Sequence, residues 1–164
     1  MTILAALLLS AAPAPAVDPA CAIAEPWTSW SQSGQAKAGA QVLGAPVLIL
    51  GKPVTATLTP ADYVQFASAP GKGAKVGYGG LFTLSVKVAG RIGIGLDGPA
   101  WVDVVTGTKA QASVEHGHGE PCSGIRKIVW FDLPAGRHVV QIAGSKAEAI
   151  RVMVADKLAN QPVR

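Results

Sequence analysis

Residues 125–154 read IRKIVWFDLPAGRHVVQIAGSKAEAIRVMV, and this stretch decides the fold class. Apolar side chains alternate with polar ones over three runs, which are separated by Pro134-Ala135-Gly136 and Gly144-Ser145-Lys146. Alternate side chains of an extended chain point to opposite faces, so each run predicts a β-strand with one buried face. Three strands joined by two short turns predict an antiparallel meander.

The same pattern continues upstream, where glycine and proline interrupt short runs of β-branched residues. Short strands with frequent turn signals are typical of β-sandwiches and barrels. We therefore predict an all-β fold, a single antiparallel β-sandwich of jelly-roll-like form over residues 47–157. Before the final three strands, the predicted strands lie at residues 47–50, 54–58, 63–66, 82–88, 92–96, 101–105 and 109–115, with turns at 89–90 and 106–108.

The segments on either side of the sandwich carry little strand pattern. Residues 17–46 are rich in Ala, Gly, Ser and Gln and predict an N-terminal arm that covers the sandwich, and residues 158–164 predict a C-terminal tail. Within the sandwich, Gly93 and Gly95 alternate with apolar residues. Glycine in a strand indicates a bulge or the close approach of another backbone.

The first 16 residues, MTILAALLLSAAPAPA, predict a secretory signal peptide. An apolar run gives way to small residues ending in Ala14-Pro15-Ala16, so cleavage is expected between Ala16 and Val17. A buried N-terminal helix is the alternative. The run is shorter than the roughly 20 apolar residues of a membrane-spanning helix, and no other stretch qualifies, so no transmembrane segment is predicted in the mature chain. A periplasmic or secreted location follows.

The chain has two cysteines, Cys21 and Cys122. An even pair in an exported chain predicts a disulfide, here between the arm and a late loop. The net charge of +4 comes from scattered basic residues, and aromatic residues make up only 5%. Nucleic-acid binding requires a clustered basic stripe, so no nucleic-acid partner is predicted.

The most unusual stretch is Val114 to Cys122, which holds two histidines and two glutamates. On an extended backbone, His116 and His118 place both rings on one side, and Glu120 follows. Imidazole and carboxylate groups bind Zn²⁺, Cu²⁺ or Fe²⁺, so these residues, with His138 as a further ligand, are candidates for a divalent metal site, although no cofactor is required. The alternatives are a polar glycine-rich loop and, for His138, a partly buried ring whose nitrogens are hydrogen-bonded.

Large aromatic residues offer a second kind of candidate site. Trp27, Trp30 and Trp101 are candidates for a sugar-stacking platform, and core or covering roles are the alternative. Catalytic templates are missing: there is no G-x-S-x-G, no Walker sequence, and Cys122 is expected to be oxidised. We assign no catalytic residue from the sequence.

Two resemblances add to these expectations. The segment from Ile128 to Ile142 resembles the hairpin of bacterial pre-peptidase C-terminal and related jelly-roll domains, and the likeness covers roughly residues 47–156. Such domains assist secretion, bind glycans or calcium, or accompany an enzyme. The segment from His116 to Lys127, His-x-His-Gly followed by Cys-Ser-x-Ile-Arg-Lys, resembles a family of small exported proteins, some labelled homogentisate 1,2-dioxygenase. That label implies iron held by two histidines and a glutamate.

Together these observations predict an exported, non-catalytic binding or accessory domain, whose partner is a small molecule, a glycan or a protein. A metal-binding protein with a site at His116, His118 and Glu120, or the dioxygenase-type activity that the label implies, is the first alternative. A glycan-binding module is the second.

Overall fold

A computed structural model describes residues 21–71 and 76–157. The predicted signal peptide and the predicted tail at residues 158–164 lie outside the described residues. Twelve strands form the described part, with one 3₁₀ turn at Ala61–Tyr63. The strands are β1 Gln35–Lys37, β2 Val47–Leu48, β3 Val54–Thr57, β4 Thr59–Pro60, β5 Tyr78–Val86, β6 Gly90–Leu96, β7 Trp101–Thr106, β8 Lys109–Ala110, β9 Ser113–Gly117, β10 Lys127–Leu133, β11 Gly136–Ser145 and β12 Ala149–Asp156. Over these residues, no helix has the length and apolar character needed to cross a bilayer.

The strands form two sheets in jelly-roll order. Sheet A runs β1-β3-β12-β6-β10-β9, and sheet B runs β2-β5-β11-β7-β8, with β4 beside β5. Eight of the strands form nested pairs. β3 pairs with β12, β5 with β11, β6 with β10, and β7 with β8. This nesting is that of an antiparallel double-sheet jelly roll. The all-β jelly-roll prediction is confirmed.

The predicted meander is wrong. β10 and β12 lie in sheet A, whereas β11 lies in sheet B between β5 and β7. The turn at Ala89–Gly90 also carries the chain from one sheet to the other, because β5 and β6 are in different sheets. Alternation of apolar residues shows that a strand has one buried face, and it does not say which strand is its hydrogen-bonded neighbour.

Several strand boundaries also differ from prediction. Thr106 and Lys109 pair in a hairpin, as predicted, with Gly107 at a positive φ of 62°. The predicted strand at residues 109–115 is divided into β8 in sheet B and β9 in sheet A, so it crosses the sandwich. The predicted extended piece at residues 63–66 forms no strand, since Tyr63 ends the 3₁₀ turn. Two edge pairs, β1–β3 and β2–β5, are parallel rather than antiparallel.

The main core lies between the two sheets. Alternate residues of the longer strands β5, β6, β7, β10, β11 and β12 contribute to it, and most of them are fully buried. Its members include Phe82, Leu84, Ile92, Ile94, Val129, Phe131, Val140, Ile142, Val152 and Val154.

A second apolar cluster lies on the outer face of sheet A, beneath the N-terminal arm. Trp27 and Trp30 of the arm pack there with outward-facing sheet residues, Ile128, Trp130, Met153 and Ala155, and with Ile125. Several contacts hold the arm: the Arg151 guanidinium donates hydrogen bonds to the carbonyl oxygens of Trp30 and Gln32, the Ser29 hydroxyl donates to the Gly51 carbonyl oxygen, and Cys21 is disulfide-bonded to Cys122. The predicted disulfide spans 101 residues. Chain entropy alone gives such a crosslink about 4–5 kcal/mol of stabilisation.

The glycines of β6 allow the second cluster to form. A Cβ at Gly93 would lie 2.6 Å from the Trp130 ring, and one at Gly95 would lie 2.8 Å from the Trp27 ring. The predicted close approach therefore exists, but indole rings approach these glycines rather than another backbone. Trp27 and Trp130 pack edge to face, with ring centroids 5.8 Å apart.

We expect Gly93→Ala to destabilise the protein by about 1–3 kcal/mol, because the added methyl group displaces the Trp130 indole. Urea unfolding followed by tryptophan fluorescence measures this loss. Gly117→Ala is the matched control, since a Cβ there meets nothing within 4 Å. Equal stability of the two variants would contradict the packing described.

Candidate functional site

A cleft of about 910 Å³ opens at the end of the sandwich where β6 leads into β7 and β9 leads into β10. We call this the cleft end. The β6–β7 loop contributes Gly98 and Pro99 to its wall. The other lining residues come from the end of β9, the loop that follows and the start of β10: residues 116–121 and 124–127. His116, His118 and Glu120, three predicted site residues, therefore line one cleft.

The strand register places His116 and Lys127 on the inner side of sheet A. His116 pairs with Val129, whose side chain lies in the main core. Side chains directly opposite each other in a strand pair lie on the same face, so His116 faces inward too. Lys127 precedes Val129 by two residues and shares that face. Because β9 is the outermost strand of sheet A, His116 is exposed there.

His118 has one ring nitrogen bound and one open. Its Nδ1 lies 2.6 Å from the carbonyl oxygen of Arg126. A carbonyl oxygen only accepts hydrogen bonds, so Nδ1 carries the proton and donates it. In the neutral ring, Nε2 is then an unprotonated acceptor, and no described residue bonds to it.

The loop between β9 and β10 is held in place by its own hydrogen bonds and by the disulfide. The Gly119 amide donates to the Ile125 carbonyl oxygen at 3.0 Å. The Ser123 hydroxyl donates to the Glu120 carbonyl oxygen at 2.7 Å and accepts from the Ile125 amide at 3.1 Å. Cys122, within the same loop, is tied to the arm. The cleft wall is therefore fixed before any ligand enters.

Lys127 is the least solvated charged side chain of the cleft. It is half-buried, and its Nζ donates to the Ala100 carbonyl oxygen at 2.7 Å. The ammonium also lies 5.7 Å from the centroid of the Trp101 ring. Burial lowers the pKa of Lys127 from its ordinary value, and the negative charge of Asp103 partly opposes this shift. Sequence reasoning missed this residue, although its in-phase spacing with Val129 and Phe131 marks an inward-facing lysine.

His138 lies at the other end of the sandwich. β10 runs from Lys127, opposite Leu96, to Leu133, opposite Gly90, so Pro134 is remote from the cleft end. The His138 Nε2 donates to the Pro134 carbonyl oxygen at 2.9 Å, and Nδ1 accepts from the Thr106 hydroxyl at 2.7 Å. The ring is 2% exposed and has both nitrogens bonded. The structure does not bring it to His116 and His118.

The iron site implied by the resemblance does not fit the described residues. Two histidines and a glutamate must converge on one ion, within about 2.0–2.2 Å for each ligand atom. Over residues 21–71 and 76–157, no group of three or more His, Cys, Asp or Glu side chains lies close enough together to hold a metal ion.

The three candidate tryptophans are divided between two environments. Trp27 and Trp30 are 5% and 4% exposed beneath the arm, so they cover the sheet and offer no open ring face. Trp101 is 43% exposed, and its indole N–H donates to the Asp103 carboxylate at 2.8 Å. Of the predicted platform, one ring remains accessible.

No protein-family model matches this chain, and no curated protein matches it.

The two inward-facing histidines should differ sharply in their effect on stability. We expect His138→Ala to lower the free energy of unfolding by about 2–4 kcal/mol, because it leaves two polar groups unpaired and opens a cavity. His116→Ala, at an exposed position, should change it by less than about 0.5 kcal/mol. Chemical denaturation of the two variants measures both values, and similar losses would contradict these placements.

Proposed function

We propose that the protein is an exported, non-catalytic binding domain whose small-molecule ligand occupies the cleft. One observation carries this proposal: an open cleft of about 910 Å³ gathers His116, His118, Glu120, Arg126 and Lys127 on a fixed loop framework. A concave site with a few polar groups and partly apolar walls is the usual form of a ligand site. Domain folds of this kind serve many roles, so the site rather than the fold supports the proposal.

The chemistry of the cleft favours binding over catalysis. A nucleophile requires a base within hydrogen-bonding distance. The Ser123 hydroxyl is buried and donates to a backbone carbonyl, and the Cys122 sulfur is in the disulfide. The His118 Nδ1–H is likewise used on a carbonyl. Among the described residues, these groups form no nucleophile–base pair.

Export is supported by the disulfide. Structural disulfides persist in oxidising compartments such as the periplasm and the extracellular space. The Cys21–Cys122 bond agrees with the signal peptide that the sequence predicts for residues 1–16, and with a periplasmic or secreted location.

The proposal is tested by screening a panel of small acids, amides, amines and sugars against the ¹⁵N-labelled protein. We expect at least one compound to shift the amide signals of Gly117, Gly119 and Gly124 selectively, and His116→Ala to weaken that binding several-fold. Lys109→Ala is the control, because Lys109 is exposed in the β7–β8 hairpin away from the cleft end. A panel without any shift at the cleft, or turnover of a compound that His116→Ala abolishes, would contradict the proposal.

A second candidate function is binding of a divalent metal ion by His116 and His118 alone, with water completing the coordination. The hydrogen bond from His118 Nδ1 to the Arg126 carbonyl favours it, since metal-binding histidines commonly fix their second nitrogen in this way. We expect untagged protein dialysed against Zn²⁺ or Cu²⁺ to retain metal, and the double variant His116→Ala/His118→Ala to retain none. A content below about 0.1 ion per chain in the unaltered protein would exclude a site with useful affinity.

A further inference from the structure

The ammonium group of Lys127 has few partners for its position. A lysine ammonium carries three N–H donors. One of them is used on the Ala100 carbonyl oxygen, and the described residues supply no acceptor for the other two. Lys127 also forms no salt bridge within the described part of the chain. The Trp101 ring, whose centroid is 5.7 Å from Nζ, attracts the ammonium but carries no net charge. A partly desolvated cation without a counter-ion is unfavourable unless another group compensates it.

The carboxylates in and near the cleft do not supply Lys127 with a counter-ion. Among the described residues that line the cleft, Glu120 is the one carboxylate, and it is solvent-exposed. Water and salt screen an exposed charge strongly, whereas a half-buried charge is screened less. Asp103 raises the pKa of Lys127 without forming a salt bridge to it. Burial has the larger effect, so the pKa of Lys127 remains below its ordinary value.

The neighbours of Lys127 in the cleft add hydrogen-bond donors and apolar surface. Arg126 adds a second cation, and imidazoles donate or accept according to their protonation. Pro99 and Pro121 are exposed and supply apolar surface on the walls. A ligand with an apolar body and one negatively charged group would match both the cationic donors and the apolar walls.

We propose that the cleft binds a small organic anion whose charged group pairs with Lys127 and whose apolar body lies against Pro99 and Pro121. This inference rests on the proposed binding function and names the class of ligand. The anion supplies the counter-ion and the hydrogen-bond acceptors that the described residues do not provide.

Hexanoate, hexanamide and hexylamine test the class of ligand, because they share one apolar chain and differ in charge. We expect hexanoate to bind at least about tenfold more tightly than hexanamide, as a charge-assisted hydrogen bond implies. Hexylamine should bind least. Dissociation constants come from titrations of the cleft amide signals at constant ionic strength.

Lys127→Met is the decisive variant, since it keeps an unbranched apolar chain and removes the charge. We expect it to reduce hexanoate binding to the level of hexanamide, whereas the control Lys109→Met leaves binding unchanged. Lys127 itself gives a measurement in the unaltered protein: saturating hexanoate should raise the pKa of its ammonium, followed by ¹³C NMR of the Cε. That readout holds even if the variant does not fold.

The outcomes separate this inference from the proposed function. Equal binding of the three compounds, or tightest binding of hexylamine, overturns the anion class and leaves the cleft as a binding site. Hexanoate binding that survives Lys127→Met overturns the role of Lys127. If none of the three compounds binds while another panel member shifts the cleft amides, the inference fails alone. If no compound shifts those amides, the proposed function fails with it.

Discussion

Sheet A is buried on both faces at its centre, and the rest of the structure depends on this constraint. The inner face of β6 contributes Ile92 and Ile94 to the main core, while Gly93 and Gly95 lie on the outer face beneath two indoles. An ordinary antiparallel sheet leaves one face in water. Here the arm, which the disulfide ties to the β9–β10 loop, covers the outer face of sheet A.

Burial of the outer face also determines how the cleft end is built. The loop between β9 and β10 carries Cys122, and its Ile125 packs in the cluster beneath the arm. The same loop presents His118 and Glu120 to the cleft. The contacts that hold the arm on sheet A therefore also hold the cleft wall, so the proposed ligand would need little ordering of the backbone there.

The positions of the strands could be predicted from the sequence more successfully than the pairing of neighbouring strands. Period-two alternation depends on local geometry, so Val152 and Val154 could be assigned to a buried face without knowledge of their partners. Sheet membership depends on how the chain crosses the sandwich, and short turns such as Pro134-Ala135 permit either a hairpin or a crossing. The same limit applies to the histidines. His116 and His138 both face inward, but only the three-dimensional fold shows that one lies at an exposed edge and the other is enclosed by Thr106 and Pro134.

The buried polar side chains of the scaffold differ from Lys127, at the cleft, in how completely protein groups bond them. His138 and Gln141 are buried, and protein groups bond both of them, which is the usual condition of polar side chains in a core. Lys127 departs from that condition, because its charge is partly withdrawn from water and the described residues give it one backbone acceptor. Core packing alone would favour an apolar residue at this inward-facing position, next in phase to Val129 and Phe131. A half-buried charge that the described residues meet with one carbonyl oxygen and one indole ring, at the edge of an open cleft, supports the proposal that an anionic ligand pairs with it.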